Sequence, residues 1–68
     1  MATIFSSKKN PNRPDRTIDT YIGSGFSIGD GEERVSNLNF LRSTEDFENG
    51  VRYYLLPSDY SETEFYKF

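Results

Sequence analysis

The chain contains neither cysteine nor histidine. Without thiols it forms no disulfide and offers no zinc–thiolate site. Without imidazole it lacks the commonest general base, the usual zinc and copper ligand, and the hydrolase triads built on histidine. Metal ligation is left to carboxylates, which suit calcium or magnesium. The longest apolar run is Tyr53 to Pro57, far short of the roughly 20 residues that span a bilayer. No charged segment leading into an apolar core opens the sequence, so no signal peptide is legible. These absences point to a soluble, cytoplasmic protein (host cytoplasm for a viral one), since a thiol-free chain suits a reducing compartment.

Rings are what the chain has instead. Five tyrosines and six phenylalanines make up 16% of its 68 residues. That length suits one domain, and a fold so small buries only about 60% of the surface its unfolded chain exposes. Each buried ring removes about 150–250 Å² from water, so a few rings can form a core. The rest are expected at the surface, where tyrosine is a frequent interface residue.

Charge is divided along the chain. Residues 1–16 carry Lys8, Lys9, Arg13 and Arg16 against Asp15 alone, a net of +3, whereas residues 17–68 carry four cations against ten acids, a net of −6. The pattern is a basic arm on an acidic body.

Ala2 to Ser6 reads as a short strand of β-formers. Residues 7–16, with two prolines and two asparagines, read as an exposed basic loop. Thr17 to Ile22 reads as a half-buried strand, Gly23-Ser24-Gly25 as a bulge or bend, and Gly29-Asp30-Gly31 as a turn. Glu32 to Leu41 has strand character, although the odd interval from Val35 to Leu38 breaks the alternation. Ser43 with Asp46 three residues later resembles a capping box, which allows at most one short helical turn near 43–48. Asn49-Gly50 signals a type I′ turn. Val51 to Leu56, apolar on both faces, suggests a central strand or an edge covered by something else. The tail 58–68 is acidic and aromatic, and fits either a strand or a short helix capped by Ser58 with Phe65 and Phe68 at i, i+3. The sum is a mainly β domain: a small antiparallel sheet or compact barrel of four to five strands.

Little in the sequence marks catalysis. The glycine-rich stretch 23–31 runs into Glu32 and Glu33, which repel phosphate, and Asp30, Glu32 and Glu33 lack the spacing and number of oxygens that calcium requires. No catalytic residue, cofactor or metal is expected, and the protein is not expected to be an enzyme. A protein-binding module fits best. It would be an inhibitor or accessory subunit, of a viral or mobile-element kind, docking on a larger protein such as a nucleic-acid-processing machine with a basic surface. Tyr54, Tyr60, Glu62, Glu64, Phe65, Tyr66 and Phe68 are the expected contacts, rings anchoring and acids steering. Two alternatives stand beside it. One is a small nucleic-acid-binding barrel that uses Lys8, Lys9, Arg13 and Arg16 on phosphates. The other is a structural subunit that assembles through edge strands.

Overall fold

The computed structural model describes residues 1–67. The order of elements is β1 (Ala2–Asn10), β2 (Arg13–Phe26), α1 (Ile28–Phe40), α2 (Thr44–Glu48), β3 (Arg52–Leu56) and α3 (Glu62–Phe65). The three strands form one open antiparallel sheet in the order β2-β1-β3. The protein is therefore mostly β, as expected, but among the described residues it has three strands rather than four or five, and the sheet does not close into a barrel.

The basic segment 7–16 is a hairpin rather than a loop. β1 continues through Lys8 and Lys9, and β2 begins at Arg13. The turn-forming residues are concentrated at Pro11-Asn12, where Asn10 Oδ1 accepts the Asn12 N–H at 3.0 Å, a local side-chain turn typical of asparagine. Pro14 is tolerated because the register jumps there: Lys9 pairs with Thr17 and Asn10 with Arg13. Residues 14–16 thus stand out of the ladder, and proline's missing N–H costs it nothing.

Two further irregularities lie in β2. Ala2 pairs with Phe26, Ile4 with Gly23, and Phe5 with Tyr21, so β2 holds one extra residue in each interval. The glycine-rich stretch does form a bulge there, and Gly25 takes a left-handed φ of 86° that glycine adopts without strain.

The expected strand over Glu32 to Leu41 is a helix, as is the Gly29-Asp30-Gly31 turn before it. The interval from Val35 to Leu38 is the helical i, i+3 step, and Gly31, Val35 and Leu38 share one stripe. Gly31 is buried because α1 crosses the sheet there. A Cβ at this position would lie 2.6 Å from Leu55 Cδ1 and 3.6 Å from Phe26 Cβ. Gly31→Val should therefore overpack the crossing and lose about 1–3 kcal/mol. Gly29→Ala, with no atom within 4 Å of the new Cβ, should gain about 0.5–1 kcal/mol of helix propensity. Urea unfolding of the two variants checks these opposite signs; a Gly31→Val protein as stable as wild type would remove the close crossing.

Each helix begins at a serine whose Oγ accepts the N–H three residues on: Ser27 from Asp30, Ser43 from Asp46 and Ser61 from Glu64. The helical turn near 43–48 is α2, but α1 and α3 are helices besides it. α2 ends as a Schellman motif, with the Gly50 N–H on Phe47 C=O at 3.1 Å and the Val51 N–H on Asp46 C=O at 2.9 Å. Asn49-Gly50 is therefore a helix end and not a type I′ turn. Only Gly50 is left-handed, at φ 74°, while Asn49 has φ −78°; this is the usual left-handed glycine just past a helix cap.

β1, not Val51 to Leu56, is the central strand. β3 is an edge, and its outer side is covered by side chains. Asn39 Oδ1 accepts the Tyr53 N–H at 2.8 Å while its Nδ2 donates to Tyr53 C=O at 3.1 Å. Arg42 Nη1 donates to Val51 C=O at 2.8 Å.

The core is small. Ala2, Thr3 and Ile4 of β1 are fully buried, and Phe65 of α3 is 8% exposed. α1 lies on the Ile4–Leu55 face of the sheet. Successive side chains alternate across a strand, so Phe5 points to the other face, where Tyr54 stacks on it at 5.5 Å and Phe65 lies 5.5 Å away.

Candidate interaction surface

The tail is fastened to the sheet by its own polar groups. Thr3 Oγ1 donates to Ser58 C=O at 2.9 Å and accepts the Tyr60 N–H at 2.8 Å. Asp59 Oδ1 accepts the Gly25 N–H at 2.7 Å, and Tyr66 Oη accepts the Tyr21 N–H at 2.9 Å. Both donors belong to the bulged part of β2, where the ladder is interrupted. Ser61, not Ser58, caps α3, and Glu64 completes a capping box by accepting the Ser61 N–H at 3.1 Å. Those bonds from Ser61 hold the Glu64 carboxyl below its ordinary pKa. The box is therefore complete at neutral pH and weakens as pH falls through that lowered value.

These contacts divide the residues expected to bind a partner. Phe65 is core, packed among Phe5, Tyr21 and Tyr66 at centroid distances of 5.5, 5.9 and 5.1 Å. Tyr60 is half-buried, and Tyr54 and Tyr66 are partly exposed. Glu62 and Glu64 are exposed on α3, while Phe68 lies outside the described residues. The tail is thus mainly a structural clasp whose polar face is solvated.

Lys8, Lys9, Arg13 and Arg16 are all exposed on the hairpin. Lys8 and Lys9 are neighbours on a strand, so they point to opposite faces. The Lys9 stem runs beside Gly50, where an added Cβ would lie 3.2 Å from its Cγ. The four cations share one hairpin but not one face.

A third place emerges that strand reasoning overlooks. Phe40 is 86% exposed, Leu41 75% and Phe47 62%. Phe40 ends α1 two residues past Leu38, and at about 100° per residue it falls on the side away from the buried stripe. Read as a strand, Leu38 and Phe40 share a face, and the exposure of Phe40 is invisible; helical periodicity is the signal that finds it. Asn39, Phe40, Arg42, Ser43, Thr44 and Phe47 line an open groove of about 450 Å³ at this corner. Arg42 sets its shape. Its Nε donates to Asn39 C=O at 2.9 Å, and its guanidinium carbon sits 5.1 Å from the Phe47 ring centroid. Glu45, Asp46 and Glu48 flank Phe47 in α2.

No helix among the described residues is long and apolar enough to cross a membrane. No family model, curated protein or solved structure matches the chain.

Proposed function

We propose that the chain is a non-enzymatic binding module that docks on a larger protein through the corner formed by Phe40, Leu41 and Phe47. The nearly full exposure of Phe40 carries this reading. A lone exposed apolar residue is ordinary, but adjoining large ones rimmed by polar groups mark an interaction surface. The occupant is a partner surface that is apolar at its centre and basic around it. Glu45 and Asp46 supply the negative rim, since Glu48 lies beside Lys8 and Lys9, while Arg42 is already engaged with two backbone carbonyls and the Phe47 ring. Opposite charge across the rim steers encounter and selects the partner. An inhibitor or accessory subunit acting on a nucleic-acid-processing protein in the cytoplasm fits this chemistry.

The test is capture from source-cell extract with three immobilised proteins: wild type, Phe40→Ser/Phe47→Ser, and Lys8→Ala/Lys9→Ala/Arg13→Ala/Arg16→Ala. Wild type and the hairpin variant should retain the same protein, less of it at higher salt. The corner variant should lose it, with affinity falling on the order of 30-fold per anchoring ring. Capture that survives the corner substitutions overturns the reading. Retention of nucleic acid, abolished in the hairpin variant, would establish the alternative in which Lys8, Lys9, Arg13 and Arg16 bind phosphates.

A further inference from the structure

A second recess lies on the face of the sheet opposite α1. α3 covers that face only in part and leaves a groove of about 410 Å³, lined by Phe5, Asp19, Leu56, Tyr60, Phe65 and Tyr66. The volume falls within the roughly 300–1,000 Å³ of ligand pockets. Its lining has a distinctive chemistry: four rings, one leucine and one carboxylate, with no cation among the described lining residues. Ring faces carry negative potential and attract cations, more strongly where water is displaced. Asp19 is exposed at the mouth, where the Thr17 hydroxyl donates to its Oδ1 at 3.4 Å. Its net charge is not balanced by any ion pair among the described residues.

We propose that this groove receives an arginine side chain of the partner protein. A guanidinium suits it better than an ammonium. It is planar, stacks on aromatic faces, and presents a fork of N–H donors that matches a carboxylate. The aliphatic stem would lie against Leu56 and the rings, and the head would reach Asp19. The floor is rigid because Phe65 is core and Tyr66 is tied to the Tyr21 amide, so little ordering is needed on binding.

The source of the arginine rests on the protein-binding reading, but its detection does not. The experiment is a titration of the ¹⁵N-labelled full chain with N-acetyl-arginine amide, and separately with N-acetyl-norleucine amide as the uncharged counterpart. The arginine compound should shift the amides of Asp19, Tyr21 and Tyr66 saturably, and norleucine should not. Asp19→Asn, an isosteric change at an exposed site, should weaken arginine binding about tenfold while leaving the α1 amides in place. Phe40→Ser/Phe47→Ser should bind it as wild type does, so failure at the corner and failure at the groove are distinguishable. Equal binding of norleucine, undiminished binding to Asp19→Asn, or no saturable shift with the arginine compound would each overturn the proposal.

Discussion

Replacing Phe65 with alanine is expected to remove most of the stability of the domain. Truncating a buried phenylalanine typically costs about 3–5 kcal/mol. At roughly 0.05–0.15 kcal/mol per residue, a chain of 68 residues holds only about 3–10 kcal/mol in total. The loss is not confined to one ring. Phe65 sits against Phe5, Tyr21 and Tyr66, and α3 leaves with it, taking the Tyr66 hydroxyl from the Tyr21 amide. Phe65→Leu keeps much of the apolar volume and should lose less. Urea unfolding followed by tyrosine fluorescence measures both. A Phe65→Ala protein with the wild-type midpoint would mean that the tail is an appendage and not part of the core.

The second large effect is expected at Asn39. Its side-chain amide bonds both the N–H and the C=O of Tyr53, as a neighbouring strand would. Asn39→Leu has the same branching and heavy-atom count, although it is bulkier, and pairs neither group. An unsatisfied backbone group costs about 1–3 kcal/mol when buried; both are partly buried here, so about 2–4 kcal/mol is expected for the pair. Asn39→Asp keeps the acceptor and should fall between. A second readout follows from the sheet: an uncovered edge strand invites pairing with another chain. Sedimentation of Asn39→Leu should show association that rises with concentration, while wild type stays unchanged over the same range. A fully stable, non-associating Asn39→Leu would mean that the amide does not shield β3. The other edge, β2, is guarded differently, by Pro14, Asp15 and Arg16 standing out of the ladder, a common way to blunt an edge.

The strands were the legible part of the fold, because β-branched and aromatic residues and turn signals coincide there. Ala2 to Ser6, Thr17 to Ile22 and Val51 to Leu56 all fall within or against observed strands. The bulge at Gly23-Ser24-Gly25 was legible for the same reason. α1 was hidden by Gly29 and Gly31, each of which lowers helix propensity by about 1 kcal/mol relative to alanine. The buried crossing that requires Gly31 is a tertiary fact, absent from local sequence. Three serines followed three residues later by an acid mark the starts of α1, α2 and α3; the pattern is legible at Ser43, while the Gly29-Asp30-Gly31 turn signal masks it at Ser27 and Ser58 competes with Ser61. Of the expected contact residues, Phe65 proved to be core because only the folded sheet presents Phe5 and Tyr21 to it. The exposed corner went unseen for the converse reason: Phe40 leaves the apolar stripe only once the segment is known to be helical.

Thr3 carries a consequence for how the chain folds. Its hydroxyl joins Ser58 and Tyr60, contacts separated by 55 and 57 residues. Such long closures are entropically costly and tend to slow folding. The hairpin forms from neighbours, but the sheet's second face cannot be sealed until residues 58–66 are present. During synthesis the first two strands therefore wait, with Phe5 and the Tyr21 amide open, until residues 58–66 have emerged. A nascent chain stopped before Ser58 should therefore remain susceptible to proteolysis.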